Sequence, residues 1–190
     1  MSSIVETATT FRLATSADVA AIVALVESAY RGEASRAGCT TEADLLDGNR
    51  IDPDVLRADI ERRRSRVLLA ERMAPDANAA ELLACAHVAD EDGAGYFGMF
   101  SVRPDLQGGG IGKAVLAEAE RIVRDEWRLP AMRMTVIDVR EELIAWYQRR
   151  GYRRTGIKKP FPATDPRFGI PKRADLRFEV LEKEFRDDRA

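Results

Sequence analysis

The stretch Gln107-Gly108-Gly109-Gly110-Ile111-Gly112-Lys113 lies between an apolar run, Tyr96 to Val102, and a segment with helical apolar spacing that begins near Ile111. The run predicts a strand and the spacing predicts a helix, so the glycines form a strand-to-helix turn. A turn of this kind directs several backbone N–H groups and the positive end of a helix dipole towards one point. The stretch therefore predicts an anion site, and a pyrophosphate is the anion that we expect.

Spacing separates the phosphate-binding patterns that compete for this turn. A nucleotide P-loop requires glycine five residues before its Gly-Lys pair and Ser or Thr after it, but Gln107 and Ala114 hold those positions. The dinucleotide fingerprint G-x-G-x-x-G requires its last glycine where Lys113 or Val115 stands, depending on the register. Neither pattern fits, and a glycine-rich connection without a ligand is the alternative for this segment taken alone.

The pattern that does fit is Q-x-x-G-x-G, with Gln107, Gly110 and Gly112 in register. It resembles the acetyl-coenzyme A (acetyl-CoA) signature of the GNAT superfamily of N-acetyltransferases. The resemblance implies acetyl-CoA as co-substrate, with its pyrophosphate on the amides of this turn and its pantetheine arm along the end of the preceding strand. We expect no metal. The cofactor-binding residues that follow are Phe100, Ser101, Val102, Gln107, Gly108, Gly109, Gly110, Ile111, Gly112 and Lys113.

A second segment supports the same resemblance. Asp138 is an N-cap candidate with Glu141 at the third helical position, and Gly151 suits the left-handed position after a helix. Between them, the stretch 145–152 resembles the second GNAT signature, an aromatic pair followed by glycine and an aromatic. The resemblance implies that Tyr147 is the general acid and that the backbone amide of Val102 is the oxyanion donor. A plain core aromatic is the alternative for Tyr147, because Leu143 shares its helical face.

The order of predicted elements indicates one α+β domain. We expect a GNAT-like mixed central sheet of about seven strands flanked by about four helices, with a core over about residues 10–182 and flexible ends at 1–9 and 183–190. Three successive strands form an antiparallel meander closed by a tight Asp92-Gly93 turn. The predicted strands are Phe11–Leu13, Val67–Glu71, Leu82–Val88, Tyr96–Val102, Met132–Ile137, Tyr152–Ile157 and Leu176–Leu181; the predicted helices start after Thr15, near Asp54, at Ile111 and after Asp138.

Composition limits the partners. The chain of 190 residues suits a single domain, and 30 Lys plus Arg against 32 Asp plus Glu give a net charge of −2, which favours neither nucleic acid nor an anionic membrane. The first residues lack a basic start followed by an apolar run, so we expect a cytoplasmic protein. Cys39 and Cys85, with the single histidine His87, are too few ligands for a structural zinc site. We expect both cysteines to be free thiols.

The general base stays open at this stage. Many members of the superfamily carry a carboxylate on the strand before the glycine turn, but Tyr96 to Val102 contains none. The candidates are Glu33, Glu42, Glu71, Glu91 and His87.

The acceptor is predicted only as a class, a primary amine of a small metabolite or peptide. The segment 159–175 contains four prolines with Phe161 and Phe168, so we expect an ordered loop packed on the domain that, together with residues 30–42, walls the acceptor pocket. A basic run around the second motif is available for coenzyme phosphates, an acidic substrate or solvent. The alternatives to an enzyme are a non-catalytic CoA-sensing or interaction module on the same fold and an unrelated nucleotide-binding domain. A homodimer is plausible from the superfamily.

Overall fold

The computed structural model describes residues 9–31, 35, 41–73 and 80–185. Several residues named above lie outside these ranges: Glu33, Cys39 and the two ends at 1–8 and 186–190. Cys85 is a buried free thiol. None of the described helices is long and apolar enough to cross a membrane.

A mixed sheet of seven strands forms the centre of the described structure, in the order β1-β3-β4-β5-β6-β9-β7, and β2 pairs with β8 in a separate small ladder. Four helices of the described chain flank the sheet, and a π-helical turn, Ile122–Glu126, extends the third. The predicted α+β fold is therefore confirmed. The strands are β1 (Thr10–Leu13), β2 (Leu46–Asp47), β3 (Ser65–Met73), β4 (Ala80–Glu91), β5 (Ala94–Val102), β6 (Ala131–Ile137), β7 (Arg153–Pro160), β8 (Ile170–Pro171) and β9 (Arg177–Glu184). The helices are α1 (Val19–Tyr30), α2 (Pro53–Glu61), α3 (Ile111–Arg121) and α4 (Glu141–Gln148).

Helices α1 and α2 and strands β3 to β5 follow their local sequence signals. Thr15 and Asp18 form a reciprocal capping box ahead of α1, and the side chain of Asp52 accepts from the amides of Asp54 and Val55 at the start of α2. Strands β3, β4 and β5 form the predicted antiparallel meander. Asp92 and Gly93 both adopt positive φ angles, 53° and 77°, as a tight hairpin turn requires.

The sheet opens between β5 and β6. These two parallel strands pair only at Gly95 with Met132 and at Tyr96 with Arg133, whereas β6 pairs with β9 along its whole length. Gly98 pairs with His87 and Ser101 pairs with Cys85, so between these pairs β5 has two residues where β4 has one. Met99, one of the two, has a φ of 49°. This bulge increases the local twist of β5 and turns its end away from β6. A wedge results beside the last residues of β5.

Two apolar layers cover the two faces of the sheet. Leu69 and Cys85 face a cluster under α1 and α2, while Ala70 and Ala84 face the main core under α3 and α4. Neighbouring residues of one strand point to opposite faces, so β3 and β4 contribute to both layers. The wedge between β5 and β6 therefore connects the two sides of the sheet.

The prediction that Asp138 caps α4 was wrong. The helix begins at Glu141 with Arg140 at the N-cap, and Asp138 does not cap it. The Asp138 carboxylate is instead buried against Lys158 at 3.1 Å and Arg177 at 3.3 Å, two partners that the local sequence does not reveal. The predicted end of the helix agrees with the structure, because Gly151 has a φ of 92°.

The segment 159–175 is ordered, as expected. Lys159 and Pro160 complete β7, residues 166–168 form a short 3-10 turn, and β8 pairs with β2 in antiparallel fashion. Phe161 is buried in a small cluster with Leu46, Ile137 and Leu176. The last strand, β9, continues to Glu184, two residues beyond the predicted core.

Candidate active site

The glycine turn exposes its backbone. Gly108 and Gly110 have φ angles of 89° and 87°, a left-handed conformation that favours glycine. A β-carbon at either position would meet no atom within 4 Å, so the space above the turn is open. Gly109 does not have a positive φ, so the conformational requirement falls on its two neighbours. The side chain of Gln107 donates to the carbonyl of Val102 at 3.1 Å and ties the turn to the end of β5.

This turn forms one wall of a cleft of about 340 Å³. Seven of the residues predicted to bind the coenzyme line it: Phe100, Val102, Gln107, Gly108, Gly110, Gly112 and Lys113. Three predicted residues do not. The buried Ser101 directs its hydroxyl to the carbonyl of Met99 at 3.2 Å, Ile111 packs on the main core, and Gly109 is absent from the lining.

The opposite wall comes from α4. The residues that line the cleft from this helix and from the turn after it are Glu142, Leu143, Trp146, Arg149 and Arg150. Trp146 packs against Phe100, with ring centroids 5.9 Å apart. Across the cleft, a β-carbon on Gly112 would lie 3.1 Å from Phe100 Cζ. Glycine at position 112 is therefore explained by the close approach of α3 to Phe100 rather than by its backbone angles.

Positive charge gathers around the cleft. Lys113, Arg149 and Arg150 belong to the lining, and Glu142 is the acid among the lining residues. Arg150 stacks over the Trp146 ring at 3.5 Å and donates to the Trp146 carbonyl at 2.7 Å. Its Nε is buried without a hydrogen-bond partner in the described structure. An orphaned guanidinium donor beside an open glycine turn suits a ligand with several phosphate oxygens.

A second cavity, of about 310 Å³, opens on the other side of the wedge. Phe100 and Leu143 line both spaces, so the two meet where β5 leaves β6. Polar and aromatic side chains from most of the chain converge here, including Tyr30, Glu42, Arg50, Asp59, His87, Tyr96, Arg140, Tyr147 and Arg167.

Tyr147 lines the second cavity, next to Trp146 of the first. It is buried, and its ring makes edge contacts with Trp146 at 5.0 Å and with Tyr152 at 5.8 Å. Burial, with a contribution from Tyr30, raises the pKa of Tyr147 well above its usual value, so the hydroxyl keeps its proton at neutral pH. By contrast, the hydroxyl of Tyr152 donates to Glu120 at 3.0 Å, away from both cavities.

The candidate general bases differ in whether they line the second cavity. Glu42 and His87 line the second cavity. Glu71 forms a salt bridge with Arg12 between β1 and β3, and Glu91 is exposed at the end of β4. Glu33 lies outside the described residues.

Glu42 is surrounded by guanidinium groups. Arg31 lies 2.9 Å from its carboxylate, Arg140 3.3 Å and Arg50 3.5 Å. Glu42 was a candidate base from the sequence, but the sequence does not reveal this cluster, because Arg140 is 98 residues away along the chain. Sequence reasoning also did not single out Arg50, whose guanidinium lies 4.8 Å from the centre of the Tyr30 ring.

The segments expected to wall the acceptor pocket contribute in part. Tyr30 and Glu42 line the second cavity, and so do Arg167 and Phe178. Phe161 does not line it, but its ring packs 5.3 Å from that of Phe178. The side chain of Phe168 lies outside the described part of the chain. No group of three or more described His, Cys, Asp or Glu residues is arranged to hold a metal ion.

Comparison with known proteins agrees with this architecture. Residues 63–154 match the family model of the acetyltransferase (GNAT) domain. Ribosomal-protein-alanine N-acetyltransferase from Brucella melitensis is 21% identical, covers 93% of this chain and 99% of its own, and superposes with a TM-score of 0.65. The Escherichia coli ribosomal-protein-S18-alanine N-acetyltransferase, 12% identical, covers 96% and 99% with the same TM-score of 0.65.

A protein described as a streptothricin acetyltransferase from Bacillus anthracis, solved in complex with acetyl coenzyme A, is 12% identical and covers 67% of this chain and 66% of its own, with a TM-score of 0.53. No curated protein matches the sequence at a significant level. The family-model match spans β3 to the start of β7 and includes both the glycine turn and Tyr147. Residues 63–154 of this chain, which carry both motifs, therefore match the acetyltransferase (GNAT) domain, and the described structure has the fold of N-acetyltransferases of that family.

Proposed function

We propose that this chain is an N-acetyltransferase that transfers the acetyl group of acetyl-CoA to a primary amine of a small metabolite or peptide. The observation that carries the proposal is the meeting of two cavities at the wedge between β5 and β6. One cavity has the glycine turn and the cationic wall, and the other has Tyr147, Glu42 and His87. This arrangement suits a reaction in which two substrates approach one point from opposite faces of a sheet.

The donor fits the first cavity by its chemistry. The open amides of the turn suit a pyrophosphate, and Lys113, Arg149 and Arg150 suit further phosphate oxygens. Phe100 and Val102 supply an apolar wall for the pantetheine arm, and Ser101 contributes through its main chain only. When bound, acetyl-CoA supplies an acetyl thioester that an amine can attack.

Each remaining task of acetyl transfer has a candidate in this chain. The backbone amide of Val102 is proposed to donate to the thioester oxygen as negative charge develops on it. Tyr147 is proposed as the general acid that supplies a proton to the departing thiolate, because its buried phenol is protonated at neutral pH and lines the second cavity. Direct attack by the amine requires that the amine be neutral, and therefore requires a proton acceptor on the acceptor side.

The acceptor class has support from fold neighbours. Two of the structures above are named as alanine N-acetyltransferases of ribosomal proteins, so proteins with this fold act on amines. The second cavity, about 310 Å³, has room for a small amine or the end of a peptide. Its lining combines aromatic rings with both signs of charge, which suits a polar amine rather than a purely apolar one.

Thermal unfolding with ligands is the first test. Acetyl-CoA at 100 times its dissociation constant stabilises the folded state by about 2.7 kcal/mol, which gives a clear rise in melting temperature. ATP and NAD are the controls, and we expect neither to produce a comparable rise. A rise with ATP or NAD instead of acetyl-CoA would contradict the proposal.

Turnover is the second test. Release of free CoA thiol is followed with a panel of primary amines, including amino acids, polyamines and peptides with free N-termini, with and without EDTA. We expect activity with at least one amine class and no effect of EDTA. Binding of acetyl-CoA without turnover on any amine would favour the non-catalytic CoA-sensing module.

A further inference from the structure

His87, the single histidine of the chain, is buried on β4 at the edge of the acceptor cavity. Its Nε2 lies 2.8 Å from the hydroxyl oxygen of Ser65. That hydroxyl donates its one hydrogen to the main-chain carbonyl of Asp59 at 2.6 Å. Ser65 must therefore accept from His87, so Nε2 carries the imidazole proton and Nδ1 keeps a free lone pair.

The other ring nitrogen faces a carboxylate. Nδ1 of His87 lies 3.8 Å from Oδ2 of Asp59, which is too far for a direct hydrogen bond. In the Nε2–H tautomer both atoms are acceptors, so they attract a shared donor rather than each other. A water molecule or the ammonium group of a ligand supplies such a donor. The cavity wall thus holds a site for a positively charged N–H group.

Charged and titratable groups around His87 come from three packed elements. Asp59 faces it from α2 and Arg62 from the residue that follows this helix. Tyr96 lies on β5 with its ring centroid 5.6 Å away, and the charge of Arg50, in the segment before α2, interacts with Tyr96. Burial lowers the pKa of His87, the Asp59 charge raises it and the Arg62 charge lowers it, so the pKa lies below 6.5. At neutral pH the ring is uncharged and can accept a proton.

We propose that His87, held by Ser65 and Asp59, accepts the proton of the acceptor's ammonium group, directly or through one water molecule. This proposal rests on the proposed function. It assigns to His87 the role of general base, for which β5 carries no carboxylate. Ser65 and Asp59 are then positioning residues that determine which ring nitrogen of His87 is free. The acceptor class that fits is an amine that arrives protonated, as alkyl amines and peptide N-termini do.

The proton transfer balances within the groups named. One N–H bond of the ammonium breaks, its electron pair stays on the amine nitrogen, and the proton forms a new bond to Nδ1. The imidazolium then carries the positive charge beside the Asp59 carboxylate, and solvent in the cavity removes the proton afterwards. The neutral amine keeps the lone pair that forms the new C–N bond.

Glu42 is the weaker choice for this role. Three guanidinium groups surround its carboxylate within 3.5 Å, so its oxygens are already engaged in ion pairs. Among the described residues, the carboxylate of Asp59 is paired with Arg62 at 3.6 Å and lies 3.8 Å from His87. The free lone pair on Nδ1 of His87 is therefore the more accessible proton acceptor of the two sites.

The single histidine makes a direct test possible. Protein labelled with ¹⁵N-histidine gives one imidazole signal set, and a long-range ¹H–¹⁵N spectrum at pH 7.5 reports the tautomer without any activity measurement. We expect the Nε2–H form in the wild type and a loss of this preference in Ser65→Ala. A predominant Nδ1–H form, or a ring still protonated at pH 7.5, would overturn the proposal.

The role in turnover is tested with Asp59→Asn and His87→Gln, and Asp54→Asn on the exposed side of α2 is the matched control. We expect kcat/KM for the amine to fall 10- to 1,000-fold at pH 7 in the two test variants and to recover partly towards pH 9, where more of the amine is neutral. If acetyl-CoA raises the melting temperature of the two variants as much as that of the wild type, both variants are folded. A wild-type pH profile in both test variants would overturn the role of His87.

The two proposals fail in different ways. If the wild type acetylates no amine, the proposed function fails and the catalytic role of His87 fails with it. If the wild type acetylates amines but the tautomer is wrong or the pH profile of the variants is unchanged, only the inference about His87 fails. Where His87→Gln does not fold, Asp59→Asn carries the kinetic test.

Discussion

The hydroxyl of Tyr30 donates a hydrogen bond to the main-chain carbonyl of Phe100, 70 residues further along the chain. This bond joins the last residue of α1 to β5 just after the bulge at Met99. Phe100 also lines both cavities, so the bond holds the wall that separates them. The wedge therefore depends on a contact between α1 and β5 as well as on the divergence of β5 from β6.

Loss of this bond is expected to destabilise the protein. Tyr30→Phe removes the donor and leaves the buried carbonyl of Phe100 unsatisfied, which costs about 1–3 kcal/mol. Urea unfolding followed by circular dichroism measures the loss. A free energy of unfolding within 0.3 kcal/mol of the wild type would show that this bond contributes nothing, a threshold set by the roughly 0.5 kcal/mol minimum for a typical hydrogen bond.

Tyr147→Phe tests the proposed general acid. We expect kcat to fall about 100-fold or more while the KM for acetyl-CoA changes little, because the phenol proton is needed only as the thiolate departs. Tyr152→Phe is the matched control, since its hydroxyl is bonded to Glu120 outside the cavities. Equal kcat values for the two variants would contradict the role of Tyr147.

Two glycine variants test the anion turn. Gly110→Ala forces an L-residue to a φ of 87°, which costs about 1–2 kcal/mol, and it adds a methyl group to the open face of the turn. We expect a smaller rise in melting temperature with acetyl-CoA than in the wild type. Gly109→Ala is the control, because it has no positive φ and its β-carbon would lie 3.5 Å from the Leu106 carbonyl, an ordinary contact. Identical coenzyme responses of the two variants would count against phosphate binding at Gly110.

Glu42→Gln is expected to lower the free energy of unfolding more than the loss of a partly exposed ion pair does. Removal of this charge leaves Arg31, Arg50 and Arg140 without their shared carboxylate, and breaking a buried ion pair costs about 3–5 kcal/mol. Glu81→Gln, which breaks a partly exposed pair with Arg72 and Arg103, is the comparison and should cost less than about 1 kcal/mol. Chemical denaturation of both variants gives the difference. Similar losses would show that the Glu42 cluster is solvated.

The pKa of His87 predicts a pH dependence of stability. Its folded-state value lies below 6.5, so the unfolded chain binds more protons between the two values, and stability rises with pH across that window. Relative to His87→Gln, the wild type should gain up to about 1.4 kcal/mol per pH unit below pH 6.5 and nothing more above it. Urea unfolding from pH 5 to pH 8 checks this. Parallel curves for the two proteins would mean that burial does not shift this histidine.

The element order was predictable because its signals are local. The capping box at Thr15, the Asp92-Gly93 turn and the glycine at 151 each depend on residues within a few positions, and the structure has all three. The wrong cap at Asp138 shows the limit of such signals. A side chain that fits a local cap can have better partners elsewhere, here Lys158 and Arg177.

The candidate site was predictable only in part. The two motifs indicated the glycine turn and Tyr147, and the structure brings their helices to opposite sides of one cleft. The bulge at Met99 and the stacked Arg150 have no pattern that identifies them in advance. Each arises where strands or helices distant in sequence come together.

By itself, the sequence determined the order of the seven strands of the central sheet, the order of the helices and the spacing of the two motifs, because backbone propensity and apolar periodicity act over short distances. Only the tertiary structure decided which charges share the second cavity. The Ser65–His87–Asp59 arrangement requires three elements to pack together, and the cluster around Glu42 requires residues up to 98 positions apart. Such contacts form because burial of the sheet faces brings the elements together, and burial depends on the whole chain.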